Sequence, residues 1–97
     1  MSKWLVERRL SESAERLKRL KAEIQVVDEQ LRSLADTADD ARLRALMSET
    51  PLAAQEHREA QRHADAMARH RSELDAEVQM LQKSQDDLLD RLARELD

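Results

Sequence analysis

The sequence has no cysteine, glycine, phenylalanine or tyrosine, and it has one proline and one tryptophan. Without cysteine there is no disulfide framework, which suits a protein of a reducing compartment. A β-sheet is not expected, because the chain lacks the turn residues and the β-branched or aromatic runs that strands need. With a single aromatic side chain, the buried surface should be a narrow seam between helices rather than one compact core.

Long apolar runs are absent as well. The N-terminal sequence MSKWLVERRL has too short an apolar run for a signal peptide, and no stretch approaches the length that crosses a membrane. We therefore expect a cytoplasmic protein that does not bind a membrane. There is no Gly-rich phosphate loop and no Cys nucleophile, and a two-helix fold forms no concave pocket by itself, so we expect no enzymatic activity and no cofactor.

Charge is plentiful but nearly balanced. Charged residues make up 39% of the sequence, and the formal net charge is -4. Direct nucleic-acid binding is not expected, because it requires a clustered positive surface. Residues 36–56 carry two basic and five acidic side chains, so the middle of the chain is its acidic part.

The most prominent feature of the sequence is a heptad pattern whose core positions are spaced symmetrically before and after Glu49. Positions of the core type alternate in steps of three and four, which is the spacing of a coiled-coil seam. In the first half of the chain they are Val6, Leu10, Ser13, Leu17, Leu20, Ile24, Val27, Leu31, Leu34, Ala38, Ala41 and Ala45. In the second half they are Ala53, His57, Ala60, Ala64, Met67, Arg71, Leu74, Val78, Leu81, Gln85, Leu88 and Leu92.

Folding the chain back at Glu49 brings each core position opposite another. Leu17 then faces Leu81, and Ile24 faces Leu74. The sequence therefore predicts an all-α fold, an antiparallel two-helix coiled-coil hairpin with a short helical segment near the turn. The expected bounds are about 3–35 for the first helix, about 38–48 for a short helix or continuation, and about 51–96 for the second helix.

Cap signals support these bounds. Ser2 is suited to cap the first helix, and Thr50 followed by Pro51 is a strong start signal for the last one. The segment Asp36–Asp40 is ambiguous, because Asp and Thr favour helix caps over helix interiors. A single helix to about residue 47 and a break near residues 36–38 are both compatible with the pattern. We prefer the break.

Polar residues on the seam have a structural interpretation. Ser13 opposite Gln85 is expected to help set the register, while Arg71 should pack its stem on the seam and extend its head into water. Arg16 is expected near Glu77 on the flank. The three histidines, His57, His63 and His70, are interpreted as solvated or seam-edge residues rather than metal ligands, because no Cys accompanies them and their spacing is not the i, i+4 pair of metal-binding helices.

Large apolar residues that the seam does not use form two groups, which are candidate contact surfaces. The group expected to mediate self-association consists of Trp4, Leu5, Leu89 and Leu96. The group expected to bind a partner near the turn consists of Leu43, Leu46, Met47 and Leu52, with the acidic residues Asp36, Asp39 and Asp40. These groups predict a non-enzymatic protein–protein interaction module, a homodimeric coiled-coil adaptor or scaffold whose protein partner the sequence does not identify.

Asp36, Asp39 and Ala41 form the pattern D-x-x-D-x-A. It resembles the acidic coiled-coil tip of the secondary-channel regulators of bacterial RNA polymerase, the DksA type. The resemblance implies an alternative function, a transcription regulator that inserts its tip into the polymerase. The zinc-binding part of that family has no counterpart, because there is no Cys, and the mirror centre lies about ten residues after the motif. A third interpretation is that the sequence is the coiled-coil part of a longer protein, since its end, RLARELD, carries no clear stop signal.

Overall fold

A computed structural model describes residues 2–96, except for the side chain of Leu96. The chain forms two α-helices, α1 (Lys3–Ser48) and α2 (Pro51–Leu96), and residues 2–96 contain no strand. Side chains of the two helices contact each other, for example through an ion pair between Arg16 and Glu77. The prediction of an all-α two-helix hairpin is confirmed.

Both helices begin at the predicted capping residues. The backbone N–H of Leu5 donates to Ser2 Oγ over 3.2 Å, and that of Ala53 donates to Thr50 Oγ1 over 3.1 Å. Each hydroxyl oxygen satisfies one of the N–H groups that lack a partner in the first turn of a helix. Pro51 occupies the first position of α2, where a backbone N–H would have no partner within the helix, so the N–H that proline lacks is not needed.

Helix α1 ends in a left-handed residue. Glu49 has a φ of 48°, and its N–H donates to the carbonyl oxygen of Ala45 over 3.2 Å. Helices commonly end with one residue in this conformation, and that residue is usually glycine, because a Cβ atom is crowded there. In this glycine-free chain a glutamate occupies the position, and the turn therefore stores local strain.

Glu49→Gly is expected to raise the free energy of unfolding by about 0.5–1 kcal/mol. The left-handed conformation disfavours a residue with a Cβ by about 1–2 kcal/mol, and the greater freedom of glycine in the unfolded chain offsets part of that gain. Urea melts of the two proteins measure the difference. Glu49→Ala is the control, since it removes the carboxylate and keeps the Cβ. Equal melts for the glycine and alanine variants would show that Glu49 is not strained.

The preferred break near residues 36–38 is wrong, and α1 is continuous through this segment. Thr37 does not cap a new helix. Its Oγ1 donates to the carbonyl oxygen of Ser33 over 3.0 Å, which satisfies the hydroxyl inside a helix. Ala38 and Ala41 are buried, and a break at this point would take both of them out of the seam. Their burial outweighs the local preference of Asp and Thr for caps.

The chain divides into two units. The terminal unit comprises Met1–Ile24 and Leu74–Asp97, and the turn unit comprises Gln25–Glu73. In the terminal unit the half-buried apolar residues of the seam are Leu10, Ile24, Leu81 and Leu92, and its buried residues are Val6, Ser13, Leu17, Leu20, Leu74, Val78 and Leu88. On the flank of this seam, Arg16 lies 2.7 Å from a carboxylate oxygen of Glu77, as the heptad register predicted.

The seam of the turn unit is rich in alanine. Its buried residues are small, namely Val27, Ala38, Ala41, Ala53 and Ala64. The largest apolar side chains of this seam are only half-buried, and they are Leu31, Leu34 and Met67. The turn unit, like the terminal unit, therefore leaves part of its apolar seam in contact with solvent.

Arg71 does not simply extend into water as expected. It is half-buried on the seam of the turn unit, and its Nε donates to Asp28 Oδ1 over 2.7 Å. The carboxylate lies one position beyond Val27, the residue opposite Arg71 in the mirrored pattern. Pairing with a carboxylate gives the guanidinium group a charge-assisted hydrogen bond beside the apolar seam.

Candidate protein-interaction surfaces

Large apolar side chains are exposed beside the turn. We call Leu43, Leu46, Met47 and Leu52 the turn-end cluster. All four are exposed, and Met47 keeps 85% of its surface accessible. The sequence-based expectation that these residues lie off the seam is therefore correct. An apolar side chain that is exposed to this extent does not stabilise the packing of the two helices. If such a side chain has a role, the role is not in the stability of the fold.

A groove runs beside the turn, and two members of the turn-end cluster line it. The groove has a volume of about 320 Å³ and is lined by Arg44, Met47, Ser48, Thr50, Leu52, Ala53 and Glu56. Met47 from α1 and Leu52 from α2 provide its large apolar walls, while Arg44 and Glu56 provide one charge of each sign. Leu43 and Leu46 are not among the lining residues. The groove is large enough for an apolar side chain of a partner.

The three aspartates assigned to this surface lie on α1 before the turn. Asp36, Asp39 and Asp40 are exposed, and Asp39 Oδ1 lies 3.9 Å from Arg42 Nε. The turn itself is formed by Glu49 and Thr50. The D-x-x-D-x-A pattern is therefore in the interior of a helix and not at the tip of the hairpin, unlike the tip motif that it resembles.

The residues assigned to self-association belong to the terminal unit. Trp4 and Leu89 are exposed, and Leu5 is half-buried. The guanidinium carbon of Arg8 lies 5.5 Å from the centroid of the Trp4 ring, which is within the range of a cation–π contact. The Leu96 side chain lies outside the described residues. Trp4 and Leu89 are thus accessible to a partner, while Leu5 is partly covered already.

No protein-family model matches this chain. No curated protein and no solved structure matches it either. The surfaces must therefore be interpreted from their own chemistry.

Sequence analysis missed a second apolar surface on the turn unit. Two cavities of about 360 and 320 Å³ share Leu34 and Met67 as lining residues, and we call them together the central groove. The other lining residues are Gln30, Ser33, His63, Ala66 and His70. A signal was present in the sequence, because these flanking positions carry no Asp, Glu, Lys or Arg in a chain that is 39% charged.

The histidines have no metal-binding arrangement around them. His57 is half-buried, and His63 and His70 are exposed beside the central groove. Within the described part of the chain, no group of three or more His, Asp or Glu side chains is placed to hold a metal ion. In the same residues neither helix has an apolar stretch that would allow it to span a membrane.

Proposed function

We propose that this protein is a non-enzymatic protein–protein interaction module, a self-associating coiled-coil adaptor or scaffold of the cytoplasm. The observation that carries the proposal is the turn-end cluster, whose large apolar side chains are exposed next to a groove. Clustered exposed apolar residues are typical of contact surfaces, whereas scattered ones are not. The partner would insert an apolar side chain between Met47 and Leu52.

Charge around the turn indicates the kind of partner. Residues 36–56 carry five acidic and two basic side chains. Asp36, Asp39 and Asp40 are exposed on α1, and Glu56 lines the groove itself. Complementary potentials favour encounter and correct orientation of two proteins. A segment with one or two apolar anchors and flanking Lys or Arg residues fits this surface best.

Self-association would use the exposed apolar residues of the terminal unit. A two-helix seam buries little surface per residue, and small domains with thin cores commonly require a disulfide, a metal or association. The chain has no cysteine, so association is the simplest of these routes. Trp4 and Leu89 are exposed and available for it. We propose a homodimer in which these residues meet a second copy.

Leu43→Ser combined with Met47→Ser is expected to abolish partner capture while leaving the fold intact. Both side chains are exposed, so their loss should change the free energy of unfolding by no more than about 1 kcal/mol, mostly through helix propensity. Affinity capture from lysate, followed by mass spectrometry, compares the double variant with the natural protein. Circular dichroism verifies its helix content.

Met80→Ser is the matched control for this capture, because Met80 is an exposed methionine outside the cluster. Proteins that bind the natural chain and the control, but not the double variant, are partners of the turn-end cluster. Recovery of RNA polymerase subunits among them would support the alternative function. Identical sets of captured proteins for all three chains would rule out the turn-end cluster as a binding surface.

The mass in solution tests the homodimer. Light scattering at micromolar concentration should give about twice the 11.3 kDa of one chain. Trp4 fluorescence should shift to longer wavelength on dilution as its ring becomes wetter, and Trp4→Ala should favour the monomer. Met80→Ala, which also removes an exposed apolar side chain, should leave the mass unchanged. A monomeric mass across the whole concentration range would contradict self-association.

A further inference from the structure

We propose that the hairpin exchanges α2 with a second copy of the chain, so that α1 of each copy packs against α2 of the other. The hinge consists of Glu49 and Thr50, the two residues between the helices. In such a domain-swapped dimer the contacts between α1 and α2 are kept, and only the turn changes. The exchange does not use Trp4 or Leu89, so it goes beyond the homodimer proposed above.

The first argument is the conformation of the turn. Glu49 has a φ of 48°, a left-handed conformation in which its Cβ atom is crowded against the backbone. The closed hairpin requires this conformation, because the connection has only two residues and Thr50 is held as the cap of α2. In an open hinge Glu49 can adopt an ordinary conformation. Short hinge loops under strain favour domain exchange, because opening the loop releases the strain.

The second argument is that both helix ends at the turn can persist when the hinge opens. The bond from Ala53 N–H to Thr50 Oγ1 lies within the start of α2. The bond from Glu49 N–H to the carbonyl oxygen of Ala45 closes the last turn of α1, and it does not depend on the φ of Glu49. Pro51 keeps Thr50 extended, so the open hinge stays a break between two helices. Opening therefore removes none of these hydrogen bonds.

The third argument identifies the occupant of the α1 seam. Arg16 on α1 pairs with Glu77 on α2 in the terminal unit, and Asp28 on α1 pairs with Arg71 on α2 in the turn unit. An unrelated apolar helix could cover the seam of α1, but it would not supply a carboxylate and a guanidinium group at these two places. A second copy supplies both, because its α2 has the same sequence.

The balance between the closed and the swapped form should depend on protein concentration. The contacts between α1 and α2 are the same in both forms, so they do not decide the balance. Association reduces translational and rotational freedom, which favours the closed hairpin in dilute solution. Release of strain at the two hinges of each dimer acts in the opposite direction. We expect closed monomers in dilute solution and swapped dimers in concentrated solution.

Mixed single-cysteine variants test the exchange. Arg16→Cys and Glu77→Cys place thiols on α1 and α2 of a chain that has no other cysteine. The two proteins are unfolded together in urea, refolded at high concentration and treated with a short bis-maleimide reagent. We expect a covalent dimer, because these two positions of different chains lie side by side only in the swapped form. Each variant refolded alone should give little product. The double variant in dilute solution should be linked within one chain, which verifies that the reagent spans the pair.

A second pair of variants repeats the measurement in the turn unit. Asp28→Cys mixed with Arg71→Cys should also give a covalent dimer. Exchange of the whole of α2 predicts product at both pairs, and it predicts that the yield persists when Trp4→Ala is added to every chain. Closed hairpins that meet through Trp4 keep each of these pairs within one chain. Circular dichroism verifies that the variants remain helical.

Substitutions of Glu49 test the cause of the exchange. Glu49→Gly fits the left-handed conformation without crowding, so it should weaken the swapped dimer in sedimentation equilibrium by about ten-fold or more. Glu49→Val should strengthen the dimer, because a branched side chain disfavours the left-handed conformation further. Glu49→Ala is the matched control, since it keeps the Cβ atom and removes the carboxylate. It should change the dissociation constant by no more than about three-fold.

The outcomes separate the exchange from self-association through Trp4. A dimer in light scattering that gives no covalent product at either mixed pair, while the double variant is linked, would overturn the exchange and leave the contact through Trp4 standing. Equal dissociation constants for Glu49→Gly and Glu49→Ala would also overturn it, because hinge strain would then not drive the exchange. Covalent dimers at both pairs in the Trp4→Ala background would support the exchange without the Trp4 contact. A chain that is monomeric at every concentration would overturn both.

Discussion

Leu20→Ala is expected to destabilise the protein by about 2–5 kcal/mol, the usual range for truncation of a buried leucine. Leu20 is fully buried in the terminal unit, with 0% of its surface accessible. Truncation removes apolar contacts and leaves a cavity that the two helices close only in part. Urea melts followed by circular dichroism measure the loss. In a protein of marginal stability it is large enough to unfold much of the population at physiological temperature.

Leu46→Ala is the matched control, because it makes the same chemical change on the same helix at an exposed position. Its effect should be within about 0.5 kcal/mol, since alanine is a good helix former and little burial is lost. A loss for Leu20→Ala as small as that for Leu46→Ala would contradict the prediction, because burial of Leu20 in the seam would then contribute little to stability.

Ser13→Ala is expected to stabilise the protein by about 1–2 kcal/mol. Ser13 is buried in the terminal unit, and among the described residues its Oγ has no hydrogen-bond partner. Gln85 is half-buried opposite it in the mirrored pattern, but the two side chains are not bonded to each other. An unsatisfied buried hydroxyl destabilises the folded state by about 1–3 kcal/mol, and alanine is also the better helix former.

Ser11→Ala separates these two causes. Ser11 is exposed on the same helix, so its replacement by alanine changes the helix propensity without removing a buried polar group. Its gain should be only about 0.5 kcal/mol. If Ser13→Ala gains no more than Ser11→Ala, the Ser13 hydroxyl is satisfied in solution. If Ser13→Ala destabilises, the hydroxyl makes a contact that contributes to the fold or to association.

The seam shows how much a periodic sequence can predict. Every core-type position of the heptad pattern, from Val6 to Ala45 and from Ala53 to Leu92, is buried or half-buried in the structure. The prediction succeeds because steps of three and four place residues on one stripe of a helix, whatever their identity. Even the polar members Ser13 and His57 follow the stripe. The ion pair between Arg16 and Glu77 was predictable for the same reason.

Local preferences were a weaker guide. The segment Asp36–Asp40 contains residues that favour caps, yet α1 continues through it because Ala38 and Ala41 are buried on the seam. Arg71 was expected to extend into water, but it is paired with Asp28 on the neighbouring helix. In both cases a contact with the other helix outweighed the preference of a few residues. Such contacts depend on distances between residues far apart in sequence.

The candidate surfaces also differ in whether the sequence alone could predict them. The sequence identified the turn-end cluster and Trp4 with Leu89, since large apolar residues outside the heptad stripe have nowhere to be buried in a two-helix fold. It did not identify the central groove. Leu34 and Met67 occupy core positions, and the pattern cannot tell whether a core position is completely covered. That depends on the side chains across and beside the seam.

The sequence by itself determined the fold class, the place of the turn and the residues of the seam. These follow from helix periodicity and from the caps at Ser2 and Thr50, which are local properties of the chain. Only the tertiary structure decided that α1 is unbroken, that Glu49 is left-handed, that the Ser13 hydroxyl has no partner among the described residues, and that several large residues of the seam are only half-buried. The reason is that burial and hydrogen bonding depend on the distance between the two helices at each position along the seam. The residue pattern of one helix does not specify that distance.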